Sequence, residues 1–74
     1  MRTDLISSDP AVMTGKPVIA GTRITVELIL EKLQSGDSIA DILDAYPHLT
    51  RTGVEAAIEF AKETVSELSV YPIA

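Results

Sequence analysis

The chain predicts an α+β fold that is mainly α: a short N-terminal β-ribbon followed by a three-helix bundle with helix-turn-helix connectivity. Three observations carry this. Residues 25–68 hold three blocks of apolar side chains at helical spacing, each preceded by a serine or threonine, the first two stopped by glycine or proline. Residues 1–24 lack that period and carry short apolar pairs between turn clusters. Seventy-four residues without cysteine make one domain near the lower limit for a self-sufficient core, with no disulfide to staple it. The expected layout is a single domain over 1–74, with the ribbon in 1–24, the bundle in 25–69 and a tail in 70–74.

Leu5-Ile6 is the first candidate strand, followed by the turn cluster Ser7-Ser8-Asp9-Pro10. Ala11 to Met13 enters a second extended segment, and Thr14-Gly15-Lys16-Pro17 then turns into Val18-Ile19-Ala20. Pro17 lacks a backbone N–H, so its strand lies at an edge or begins there. Gly21 permits a bulge or tight bend before Thr22-Arg23-Ile24.

Thr25 is the expected N-cap of the first helix, whose stripe is Val26, Ile29, Leu30 and Leu33 and whose C′ residue is Gly36. Ser38, with Asp41 three residues on, has capping-box spacing for a second helix. Its stripe is Ile39, Ile42, Leu43 and Tyr46, and Pro47 stops it. Thr50 or Thr52 caps the third helix, which runs to about Leu68. The expected core stripe there is Val54, Ala57, Ile58, Ala61, Val65 and Leu68, with Gly53, Ala56, Phe60 and Thr64 on a neighbouring face. Phe60, an off-stripe aromatic among small residues, suits either a contact between subunits or packing under the chain's own ribbon. Phe60, Ala56, Val18 and Ile19 are the candidate dimer interface. The tail Ser69 to Ala74 is apolar; it folds back, is disordered, or offers an extended segment to a partner.

The chain is 46% hydrophobic, which reads as a tight core or as surface buried against another chain. Its net charge of −5 is unevenly placed. Residues 1–25 hold three cations against two acids, whereas the remainder holds three against nine. An acidic body argues against autonomous nucleic-acid binding, which rests on Lys and Arg contacts to phosphate, and suits a basic partner. The outward face of the third helix, with Glu55, Glu59, Lys62, Glu63 and Ser66, would repel a DNA groove. No signal-peptide pattern and no membrane-spanning run is present, so a soluble cytoplasmic protein is expected.

Gly15-Lys16 invites comparison with a phosphate loop, but Pro17 follows the lysine and Pro10 stands at the first-glycine position. Gly21-Thr22-Arg23 is the sharper candidate for partner binding. Glycine permits close approach, Thr22 offers a hydroxyl, and Arg23 presents a planar fork for carboxylate or phosphate. The alternative is an Arg23 paired with an acid of its own chain or of a dimer mate. Lys16 is solvated unless it flanks Arg23 across the ribbon. His48 is the only histidine and lies in the turn between helices two and three, so no protein metal site is expected. Asp41 and Asp44 read as a solvated helix face. No catalytic residue, cofactor or enzymatic activity is predicted.

The element GKPVIAGTRI from Gly15 to Ile24, the helix ending in Leu33-Gln34-Ser35-Gly36, and IADILDAYPHLT from Ile39 to Thr50 together resemble a small bacterial family. That family is domain of unknown function 433, a group with Vap-type antitoxin-like members, and the resemblance spans roughly Ile6 to Ala61. It implies a homeodomain-like fold behind a β-ribbon, a homodimer, and the antitoxin half of a type II toxin–antitoxin pair whose toxin looks like a PIN-type ribonuclease. The chain departs from the family where Thr52 and Gly53 stand in place of acidic residues. Gly53 weakens a first helical turn by up to ~1 kcal/mol relative to alanine, which leaves the start of helix three open. A PIN-like active site is a cluster of metal-binding carboxylates that one projecting arginine could occupy; Arg23 is the candidate, with Lys16 second. The competing expectation is a helix-turn-helix-type DNA-binding transcriptional regulator that touches DNA through the ribbon, weakly or only in complex.

Overall fold

Local signals set most element boundaries in the structure, a computed structural model that describes residues 3–68. A 3-10 turn at Thr3–Leu5 leads into strand β1 (Ile6–Ser7), which pairs antiparallel with β2 (Val18–Ile19) in the register Ile6 opposite Ile19 and Ser7 opposite Val18. Three helices follow: α1 (Val26–Gln34), α2 (Ile39–Ala45) and α3 (Arg51–Ser66). The fold is therefore a mainly helical α+β domain.

The expected second extended segment at Ala11 to Met13 does not form as such. Asp9 Oδ1 accepts from the Ala11 N–H at 2.9 Å, and only Val12 pairs, in an isolated bridge with Asp9. The chain then turns through left-handed backbone at Met13, Thr14 and Gly15, with φ of 49°, 56° and 85°. The Ser8 hydroxyl donates to the Gly15 carbonyl, and the Lys16 N–H donates to Met13 O at 3.1 Å. A left-handed β-branched Thr14 is uncommon, and these bonds hold it.

Each helix starts on the hydroxyl that its sequence offers. Thr25 Oγ1 accepts from Leu28 N–H, and Ser38 Oγ from Asp41 N–H, while the Asp41 carboxylate accepts from Ser38 N–H at 2.8 Å, completing the capping box. For α3 the cap is Thr50 and not Thr52: Gly53 N–H donates to Thr50 Oγ1 at 3.0 Å. Helix α1 ends in a Schellman arrangement around Gly36 (φ 100°), with Gly36 N–H donating to Leu33 O and Asp37 N–H to Lys32 O. Leu49 N–H donates to Tyr46 O at 3.0 Å, closing the turn that holds Pro47 and the exposed His48.

The core gathers Ile19, Val26, Ile29, Ile42, Leu49, Val54 and Ala57, of which Ile29, Ile42 and Val54, one from each helix, are the largest fully buried side chains. The buried face of α3 keeps Val54, Ala57, Ile58 and Ala61 of the expected stripe and widens to Gly53 and Ala56, but does not extend to the end of the helix. Gly53, Val54, Ala56 and Ala57 are buried, whereas Val65 and Leu68 are 65% and 62% exposed. The reason is that two layers share α3: the ribbon covers its first turns, and α1 and α2 cover the adjoining side. At 16 residues, α3 is about 24 Å long against about 14 Å for the nine residues of α1, so its last turns reach beyond the helices that could cover them.

This packing corrects three of the four candidate dimer residues. Val18, Ile19 and Ala56 are only 3%, 6% and 2% exposed within the single chain, so they have almost no surface left for a second one. Phe60 is half-buried and packs against the core. The apolar tail falls on residues 69–74, outside the described residues.

Two outcomes follow from the helix ends. Gly36 has no neighbour within 4 Å of an added β-carbon, so Gly36→Ala carries only backbone strain. It should destabilise the fold by about 1 kcal/mol in urea unfolding, and Gly36→Asn by less. The Asp41 carboxyl is held below the ordinary aspartate range by the backbone N–H of Ser38 and then by its hydroxyl. A depressed folded pKa stabilises at neutral pH and is lost as pH falls through that lowered value. Melting temperatures of the wild type and Asp41→Asn should therefore differ at neutral pH and converge in acid.

A candidate interaction face on the ribbon

The loop from Ile19 to Ile24 is closed at its base and carries its charge at the tip. Ile19 N–H donates to Ile24 O at 2.9 Å, and Thr22 N–H returns to Ile19 O at 3.0 Å. Gly21, at φ 80°, sits at the third position of this four-residue turn, where left-handed backbone is required. Nothing lies within 4 Å of a β-carbon built there, so the need for glycine is conformational and not steric.

Thr22 does not present its hydroxyl to a partner. Its Oγ1 donates to Ile19 O at 2.7 Å and accepts from Ile24 N–H at 3.0 Å, so the side chain braces the loop. Arg23 is exposed beyond it, and among the described residues no acid pairs with its guanidinium. The alternative of an intrachain partner for Arg23 thus finds no support in residues 3–68.

Arg23 borders two open clefts. One, of about 630 Å³, runs between the β1 side, with Ser7, Ser8 and Asp9, and the Gly21-Thr22-Arg23 loop. The other, of about 320 Å³, brings Arg23 together with Lys16, Thr25, Glu27 and Glu31 at the start of α1. Lys16 therefore does flank Arg23. It is also paired: its Nζ lies 3.0 Å from Glu27 Oε1, with the two side chains 55% and 71% exposed. So exposed a pair is worth about 0–1 kcal/mol and is easily exchanged for another partner. The Lys16–Glu27 pair joins residues 11 apart across two elements, and only the antiparallel return of the ribbon onto α1 brings them together. Among the described residues, no three His, Asp or Glu side chains converge as metal ligands would.

The family model described as "Protein of unknown function (DUF433)" matches residues 6–61, most of the chain and all of the ribbon–helix framework that carries this face. The chain belongs to the DUF433 family. A crystal structure of a DUF433 member protein from Anabaena variabilis superposes with a TM-score of 0.81 at 28% identity, covering 90% of this chain and 66% of that one. An uncharacterized protein of Sinorhizobium fredii, y4eO, is 29% identical over 59 residues. Those residues are 80% of this chain but 27% of y4eO, so the chain spans only about a quarter of that relative's length. Among the described residues no helix is long and apolar enough to cross a membrane.

Because Thr22 supports the loop by two hydrogen bonds, Thr22→Val leaves the Ile24 N–H without its acceptor. The variant should lose about 1–2 kcal/mol in chemical denaturation.

Proposed function

We propose that this DUF433 protein is an antitoxin-like interaction protein, the inhibitory half of a type II toxin–antitoxin pair that neutralises a PIN-like ribonuclease. The observation that carries the reading is Arg23: an exposed guanidinium on a braced glycine turn, bordered by two clefts and paired with no acid among the described residues. A guanidinium held this way is pre-organised for bidentate contact with carboxylates, the groups that a metal-dependent nuclease places in its active site. Lys16 adds a second cation beside it once released from Glu27. The acidic remainder of the chain complements the basic surface with which a ribonuclease grips RNA. The reading places the protein in the cytoplasm with its target and assigns it no catalytic step or cofactor.

The α2–turn–α3 arrangement has the connectivity of a DNA-binding unit, but the outer side of α3 carries Glu55, Glu59 and Glu63 against Arg51 and Lys62, a net negative charge. Carboxylates there oppose a phosphate backbone, so DNA contact, if made, belongs to the complex with the toxin.

The test is a search for an acidic-cluster nuclease encoded beside it, then co-purification with that nuclease and an RNA-cleavage assay; the absence of any such neighbour would count against the reading. The wild type should bind and suppress cleavage. Arg23→Glu should weaken binding by at least roughly tenfold while changing stability by less than about 0.5 kcal/mol, since the side chain is exposed. Undiminished binding by Arg23→Glu would overturn the role of this residue. Salt-sensitive, sequence-specific DNA binding by the isolated protein would favour the regulator instead.

A further inference from the structure

Resting on the antitoxin reading, we infer that the cleft between the Met13–Lys16 turn and α1 is a second, selective part of the nuclease contact. Glu27 and Glu31 meet cations that stand beside the carboxylates engaged by Arg23, and Met13 is the apolar anchor. Met13, Lys16, Arg23, Glu27, Leu28 and Glu31 all line this cleft of about 320 Å³.

Charge is sorted by sign within it. Lys16 and Arg23 come from the ribbon, whereas Glu27 and Glu31 stand four residues apart on one face of α1. Arg23 and Glu31 share the cleft, yet among the described residues neither makes an ion pair. Glu31 is exposed, and α1 gains nothing from it, because like charges at this spacing repel across about 5–6 Å. Glu27 holds Lys16 through an exposed pair that a partner can exchange. Met13 is 42% exposed at φ 49°, in left-handed backbone that a residue other than glycine rarely adopts. It is not among the side chains packed on the core, so the core does not call for that conformation. The turn sets a flexible apolar side chain at the rim of a charged cleft, where it can adapt to a facing surface.

The charge pattern selects the occupant. A nucleic-acid strand would be drawn to Lys16 and Arg23 but repelled by two carboxylates of the same cleft. A uniformly basic surface would meet the reverse conflict at Arg23. The partner that fits carries carboxylates and cations side by side. A metal-dependent nuclease has that chemistry: acids hold its metal, and neighbouring Lys or Arg hold the RNA phosphates.

The test measures binding of the co-purified nuclease by titration calorimetry at low and high salt. Glu31→Lys and Met13→Asn alter exposed positions, and asparagine accepts left-handed backbone, so both should keep the wild-type circular dichroism and melting. Each should bind the nuclease at least roughly fivefold more weakly. The Glu31→Lys loss should shrink as salt rises, because the repulsion it introduces is screened, whereas the Met13→Asn loss should persist. If both variants bind like the wild type while Arg23→Glu does not, this inference is overturned and the antitoxin reading stands. A Glu31→Lys loss that salt leaves unchanged overturns the charge contact. A nuclease that fails to bind the wild type overturns the antitoxin reading, and this inference with it.

Discussion

The approach of β2 to the first turn of α3 governs how the ribbon and the bundle become one body. A β-carbon on Gly53 would stand 3.4 Å from Ile19 Cγ2 and 3.3 Å from the Thr50 hydroxyl that caps the helix. Gly53 and Ala56 are small where the ribbon lies on α3, and they lie beside Val54 and Ala57, which face the other helices. That division lets one helix serve two layers in a chain of 74 residues. It also explains why a glycine that costs up to ~1 kcal/mol in helix propensity stands at this place. A larger side chain would press on both the cap and the strand.

Once the ribbon is fixed, its loop becomes a rigid mount. Ile19 is held in the core by its side chain and bonds with its backbone to Thr22 and Ile24. Arg23 therefore projects from a loop whose base is part of the hydrophobic core, a short mechanical path from packing to charge. Pro17 O accepts the Val26 N–H at 3.0 Å, tying the other end of β2 to the first turn of α1, beside which Lys16 and Glu27 meet. Lys16 and Arg23 thus come to one side of the molecule, while carboxylates dominate the helical body.

The parts of the fold that were legible in the sequence are those decided within a few residues. Thr25, Ser38 with Asp41, and Gly36 act through hydrogen bonds or backbone angles inside a single turn, so their spacing was enough to place the ends of α1 and the start of α2. Thr50 against Thr52 was not decidable in this way, because either hydroxyl could cap a helix. The fit of Gly53 against Ile19 belongs to the start that was formed. The stripe of α3 held from Val54 to Ala61 but not at Val65 and Leu68, for a related reason: helical period shows which residues share a face, but not how far along it a neighbour reaches. Thr22 was legible as a polar residue beside a glycine turn, yet the chain uses its hydroxyl to hold the turn.

By itself the sequence determined the order of elements, the caps, the acidic body and the isolated arginine after Gly21, all properties of composition or of contacts between near neighbours. It also carried the pattern that places the chain in its family. Tertiary structure alone decided that Val18, Ile19 and Ala56 are interior, that Lys16 meets Glu27, and that Leu30, Phe60 and Val65 line one groove. Those outcomes depend on how far α3 extends past its neighbours and which of its sides the ribbon takes. Distances between elements set both, and no local spacing records them.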